Sequence, residues 1–274
     1  MAEFPKRVDI MTTARCNLTC PYCWGPEHSI KDGLNLDQWF VLIASLRNKG
    51  ATDLCVTGGE PLLREDVGSL MLATCALGFR VTLSTNCLLL PEQLTLSVNV
   101  LNYIHEIGIP IDGSSAIVNG LLRIGNTGSF DAALAALALI RSDYPSIQTT
   151  VRTVVTQQNQ GDIPNIGRLL TQNRPDRWKL YEFTPIGYGL LNHAQMAIDT
   201  SRFTDIVAAA QAEFPDLNIE PQYSSRQSEK YLFVGPGGDF YAIGRNMEYV
   251  PLGNPLEIGE RVIANIVRYF PQSK

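Results

Sequence analysis

Positive charge is not in excess in this chain of 274 residues: 22 Lys and Arg stand against 27 Asp and Glu, a net charge of −5. Without a basic patch or stripe, a large nucleic-acid footprint is not expected. Long apolar runs are missing as well. The best, Ala132 to Ile140, falls far short of the ~20 residues that a bilayer span needs and reads as a buried helix. The first residues, MetAlaGluPheProLysArg, show no apolar core behind their charges, so no export signal is expected and cytoplasmic residence is the default. There is no repeat of fixed period and no low-complexity tract. What the chain does have is 45% hydrophobic content, enough for a sizeable core in one domain, or one domain with an appendage. It also has six cysteines, three of them within eight residues. In a chain without an export signal that crowding points to a metal site rather than to disulfides.

Strand-like runs rich in β-branched residues recur over Arg7–Thr13, Asp53–Thr57, Arg80–Thr85, Ile104–Asp112, Thr149–Thr156 and Lys179–Thr184. Between them, Asp37–Asn48, Asp66–Leu77, Phe130–Ser142 and Asp162–Gln172 carry apolar residues at helical spacing. Alternation of this kind predicts an α/β fold with a parallel sheet. A closed eight-stranded barrel usually takes about 250 residues, whereas these six units end near residue 187, so a partial (β/α)6 barrel is expected over 1–195. Residues 196–274 read as a small α+β extension covering the barrel mouth. It has a helix around Arg202–Phe214, a short strand near Asn218–Pro221, a hairpin of Tyr231–Val234 and Asp239–Ile243 turned by ProGlyGly, and a final helix around Glu260–Tyr269.

The three crowded cysteines, Cys16, Cys20 and Cys23, form C-x3-C-x2-C directly after the first predicted strand. Thiolates select zinc or iron–sulfur centres. A [4Fe–4S] cube held by protein alone normally takes four cysteines, so three would leave one iron open. A Cys3His zinc site using His28, or cysteines that merely pack, stay open on the triplet alone, although structural zinc usually shows two paired spacings and no second pair is present. A second motif, Gly58-Gly59-Glu60-Pro61, closes the second strand.

CxxxCxxC followed by GGEP resembles the radical S-adenosylmethionine (SAM) superfamily, over roughly residues 7 to 187. The resemblance implies a single [4Fe–4S] cluster on Cys16, Cys20 and Cys23, whose open iron is chelated by SAM. A one-electron donor of the flavodoxin or ferredoxin type would reduce it. SAM would then yield a 5′-deoxyadenosyl radical that takes hydrogen from an unactivated C–H bond. It further implies cofactor contacts from Tyr22 near the adenine and from Gly58, Gly59, Glu60 and Pro61. Ser84, Asn86 and Ser114 would meet the carboxylate or ribose, Arg152 would be a polar SAM or substrate contact, and Pro185 would border the adenine.

The C-terminal run Tyr231 to Tyr241, with Leu252-Gly-Asn254 beyond it, resembles the tail of SPASM-type enzymes that modify peptides and sugars. Ala242 and Ile243 stand where those have cysteine, so a second cluster is not expected. Asp176-Arg177-Trp178-Lys179 and Lys230-Tyr231-Leu232 are similar to the viperin family, where Arg and Lys face a nucleoside triphosphate. The leading expectation is therefore a radical SAM enzyme acting on a small molecule or nucleotide. A peptide or sugar substrate is the alternative, and a structural zinc protein the remote one. Peptide-modifying members often carry a recognition domain ahead of the barrel, while the cysteine loop here begins at residue 16, which favours the small molecule. Catalytic candidates are Cys87 as a hydrogen donor, His193 as an acid or base and Tyr181 as a lining residue. His28, Glu182, Tyr188 and Arg245 are secondary candidates. No membrane partner is expected.

Overall fold

Each central strand has one face built from apolar β-branched residues and one from polar or small residues, and the fold follows from that alternation. In β1 (Arg7–Met11), Val8 and Ile10 are buried toward the surrounding helices, while Arg7, Asp9 and Met11 line an interior cavity. The computed structural model describes residues 4–25, 33–228, 231–254 and 260–270. The remaining strands are β2 (Asp53–Thr57), β3 (Arg80–Ser84), β4 (Glu106–Pro110), β5 (Gln148–Val155), β6 (Arg177–Glu182), β7 (Ile219–Gln222), β8 (Leu232–Val234), β9 (Phe240–Ile243) and β10 (Tyr249–Gly253). Their order across one sheet is β10-β9-β8-β1-β2-β3-β4-β5-β6-β7. The pairs from β8 through β1 to β7 are all parallel; β9 and β10 add antiparallel.

The helices are α1 (Leu36–Asn48), α2 (Val67–Ala76), α3 (Leu90–Gln93), α4 (Ala116–Leu122), α5 (Ser129–Asp143), α6 (Ile163–Gln172), α7 (Tyr188–Leu191), α8 (His193–Met196), α9 (Thr200–Glu213) and α10 (Glu260–Tyr269). α1 shows why these segments are helical. Asn35 and Gln38 form a reciprocal capping box, and Trp39, Leu42, Ile43 and Leu46 make one buried stripe. On β6, Trp178 and Leu180 are fully buried on the helix side, each worth ~1.5–3 kcal/mol relative to exposure. The Trp178 indole N–H donates to Thr153 Oγ1 at 2.9 Å, which satisfies its only polar group.

The six expected βα units are present, with boundaries displaced by a residue or two. The tail is more integrated than its sequence suggested. β7 pairs with β6 and β8 pairs with β1, so the extension lengthens the parallel sheet at both ends. Gly238, at φ +89°, makes the β8–β9 turn. The short helices α3, α4, α7 and α8 and the strand β10 escaped the sequence pattern. α4 is only seven residues long, and β10 contains Pro251, which is tolerated because β10 is an edge strand. No helix among the described residues is long and apolar enough to cross a membrane.

Candidate active site

The inner face of the sheet and the loops at the strand ends enclose one cavity of about 300 Å3. Cys16, Cys20 and Cys23 line it from the loop after β1, each half-buried. The Leu18 N–H approaches Cys16 Sγ at 3.4 Å and the Gly25 N–H approaches Cys23 Sγ at 3.2 Å, so backbone donors already face two of the sulfurs. A Cβ on Gly25 would lie 3.1 Å from Cys23 Sγ, so glycine leaves that sulfur room. Burial pushes the Cys16 thiol up to about 11 and the Cys23 thiol up to about 12, and raises Cys20 in the same way. The cysteines therefore need metal to hold them as thiolates near neutrality. Among the described residues no three His, Cys, Asp or Glu side chains are arranged to hold a single metal ion. A cube is differently built, since each thiolate binds its own iron, and three thiols around a shared cavity fit that donor set.

The GGEP segment braces this loop. A Cβ on Gly58 (φ +149°) would lie 2.5 Å from the Thr13 carbonyl oxygen, and one on Gly59 would overlap the carbonyl of Arg15. The glycines thus let the end of β2 press against the cysteine loop itself, a reason that spacing did not reveal. Glu60 is 1% exposed. Its Oε1 accepts from Thr85 Oγ1 at 2.7 Å and from the Leu62 N–H at 3.0 Å, and its Oε2 accepts from the Asn86 N–H at 2.7 Å. The carboxylate joins the ends of β2 and β3, and burial pushes it up to about 7. Pro61 opens the following 3-10 turn, buried behind the cavity wall.

The other strand-end residues divide into two groups. Ser84 and Arg152 line the cavity together, with Arg152 Nη1 donating to Ser84 Oγ at 2.8 Å. The guanidinium lies across Gly108 of β4, where a Cβ would fall 2.5 Å from Arg152 Nε, and that buried Nε has no hydrogen-bond partner among the described residues. Asn86 also lines the cavity, its side-chain amide donating to Asn17 Oδ1 at 2.6 Å in the cysteine loop. Ser114 does not reach the cavity; its N–H and hydroxyl are held by Asp162 at 2.7 and 2.8 Å ahead of α6. Pro185 is half-buried beside it, with neighbouring Thr184 in the lining.

Of the catalytic candidates, only Tyr181 faces the cavity. Cys87 is 1% exposed inside the main hydrophobic cluster, held at φ +69°. His193 is exposed, its ring 6.2 Å from that of Phe183. Glu182 lines the cavity, yet its carboxylate accepts from Thr200 Oγ1 and the Ser224 N–H. Tyr188 is half-buried, its N–H bonded to the Cys23 carbonyl, and Arg245 is exposed. Arg177 pairs with Glu106 at 2.7 Å, whereas Lys179 lines the cavity and meets Glu220 only at 3.6 Å. His28 and Lys230 lie outside the described residues.

Cys55 and Arg123 are among the lining groups that the sequence did not single out. Cys55 projects inward from β2, its thiol pushed up to about 11 by burial. Arg123, after α4, pairs with Asp112 at 2.7 Å and lies over the Tyr22 ring at 5.8 Å; Tyr22 in turn donates its hydroxyl to Asp112 at 2.6 Å. In the sequence Asp112 only closes the predicted strand Ile104–Asp112, and nothing near Arg123 signals that it meets the cysteine loop, 103 residues from Cys20.

The radical SAM superfamily profile matches residues 10–170. Fe-coproporphyrin III synthase of Methanosarcina barkeri (strain Fusaro / DSM 804) is 30% identical over 179 residues, covering 65% of this chain and 44% of that protein. PqqA peptide cyclase of Rhodopseudomonas palustris (strain ATCC BAA-98 / CGA009) is 25% identical over 256 residues, covering 90% of this chain and 67% of that protein. Native anSMEcpe, crystallised with AdoMet and the Cp18Cys peptide, superposes with a TM-score of 0.72 at 15% identity, over 97% of this chain and 82% of that one. The chain spans about half the length of the first curated relatives it matches.

Proposed function

The chain belongs to the radical SAM superfamily, and on that premise we propose that it takes a hydrogen atom from a small acidic molecule, or a nucleotide, held inside the barrel. The cofactors are a [4Fe–4S] cluster and SAM, which when bound supply a reductively generated 5′-deoxyadenosyl radical. Cys16, Cys20 and Cys23 would ligate the cluster, and Tyr22, Gly58, Gly59, Glu60, Ser84, Asn86 and Arg152 would form the surrounding SAM site. The reductant would be of the flavodoxin or ferredoxin type.

One observation carries the substrate reading. The cavity that the cysteines line at one end carries four cations in its wall, Arg7, Arg123, Arg152 and Lys179, in a chain of net charge −5. Arg7 is matched by Asp9 at 2.9 Å and Arg123 by Asp112. Among the described residues Arg152 is in an ion pair with no acid, and Lys179 meets Glu220 only at 3.6 Å, while Glu106 lies near enough to influence both cations. Desolvated cations of this kind bind carboxylate or phosphate strongly. Trp24, Met11, Tyr231 and Phe233 supply an apolar side to the same space and help keep water out. The last two come from residues 196–274, which supports reading that segment as an extension completing the mouth.

A second reading, modification of a peptide, is favoured by the similarity to PqqA peptide cyclase and to peptide-bound anSMEcpe. Against an added cluster in the tail, Ala242 and Ile243 are fully buried apolar residues. The test is anaerobic. Protein reconstituted with iron and sulfide is given dithionite, SAM and panels of polycarboxylates, nucleotides and peptides, and 5′-deoxyadenosine is quantified. A panel member that accelerates its formation identifies the substrate class; a cluster-loaded protein that forms none with any panel overturns the proposal.

A further inference from the structure

Asp112, just beyond β4, is 0% exposed. One of its oxygens accepts the Tyr22 hydroxyl at 2.6 Å and faces Arg123 Nε at 2.7 Å, while the other accepts the Val154 N–H at 2.8 Å. The Asp112 backbone is fixed as well, its N–H bonded to Asn119 and its carbonyl to Asn159, each at 2.9 Å. Arg123 is 11% exposed at its side chain and stacks over Tyr22, the residue between Cys20 and Cys23. Its Nε lies 2.7 Å from the carboxylate, an ion pair that holds the guanidinium beside Asp112. A buried ion pair brings little net stability, because desolvation offsets the attraction. This one is placed against the cysteine loop, where an added charge acts through a poorly screening interior.

We propose that Arg123 sets the reduction potential of the cluster held by Cys16, Cys20 and Cys23, with Asp112 as the positioning residue that orients the guanidinium and partly offsets its charge. The inference rests on the cluster assignment above. One-electron reduction adds negative charge to the cluster. A neighbouring cation stabilises the reduced form and raises the potential, and a neighbouring anion does the opposite. Among the described residues Glu60 is a further ionisable side chain near this corner; Arg123 is one of the charges that lower it, so Glu60 holds its proton more tightly once Arg123 is removed.

The experiment is a redox titration of the anaerobically reconstituted protein without SAM, followed by the EPR signal of the reduced cluster. Arg123→Met is expected to shift the midpoint downward, Asp112→Asn upward, and Arg123→Lys to lie between wild type and Arg123→Met. Shifts of opposite sign from two residues in one ion pair are not produced by general loosening of the loop, which would move both variants the same way. If Arg123→Met fails to take up a cluster because Asp112 is left buried and unpaired, Asp112→Asn, which keeps the shape, and Arg123→Lys, which keeps the charge, carry the test by the same directions. Cluster-loaded variants whose midpoints match wild type, or move together, overturn this inference alone. A wild-type protein that takes up no iron–sulfur cluster overturns the proposed function, and this inference with it.

Discussion

Replacing Glu60 with Gln should flatten the dependence of folding stability on pH. Burial raises this carboxyl from the ordinary 4.5 to about 7. The folded state therefore holds its proton more tightly than the unfolded chain between those values. The resulting stability is fully present below pH 4.5 and is lost as pH rises through 7. At roughly 1.4 kcal/mol per tenfold change in proton affinity, the difference is worth about 3 kcal/mol. Glu60→Gln removes that titration. Its amide oxygen can still accept from Thr85 and Leu62, but its NH2 would face the Asn86 N–H, so the variant also loses about 1–3 kcal/mol at every pH. Urea unfolding of reduced, cluster-free wild type and Glu60→Gln at pH 5, 6, 7 and 8 measures both effects. The wild-type advantage is expected to shrink by about 3 kcal/mol from the acid end to pH 8. Parallel profiles for the two proteins would refute the reasoning, since the other titrating groups are common to both.

Cys20→Ala removes one of the three proposed ligands, and the anaerobically reconstituted variant should lose the broad iron–sulfur absorbance and form no 5′-deoxyadenosine, while unfolding within ~0.5–1.5 kcal/mol of the cluster-free parent. Gly59→Ala drives a methyl group into the Arg15 carbonyl, so a loss of ~1–3 kcal/mol or more is expected in cluster-free unfolding, together with poorer iron uptake by metal analysis. Gly108→Ala must displace the Arg152 guanidinium and break its bond to Ser84. Equilibrium dialysis of radiolabelled SAM with the reconstituted variant should show roughly tenfold weaker binding, as expected for losing one charged hydrogen bond; unchanged affinity would separate Arg152 from the cofactor.

Much of the scaffold was legible because strand and helix periodicities are local. Val8 and Ile10 on one face of β1, and the Trp39–Leu46 stripe of α1, announce their elements within a few residues. The crowding of Cys16, Cys20 and Cys23 was equally readable, since three cysteines on one loop need no long-range partner. Ser114 shows where local reading stops. A serine after a strand could serve a ligand or a structural bond, and only Asp162, 48 residues away, takes up the Ser114 hydroxyl here. Cys87 and Cys55 likewise look interchangeable as cysteines of apolar β segments, yet the inward face of β2 puts Cys55 in the cavity and a positive-φ turn puts Cys87 in the core.

By itself, then, the amino-acid order determined the parallel βα architecture and brought out the three-cysteine loop and the GGEP segment, because each depends on spacing along a short stretch of chain. The tertiary structure alone decided that β7 and β8 extend the sheet at both ends, that Glu60 clasps β3, and that Asp112, Tyr22 and Arg123 meet beside the cysteines. Those relations join residues tens to more than a hundred positions apart. Their energies come from burial, charge and close backbone approach, which exist only once the chain has closed on itself.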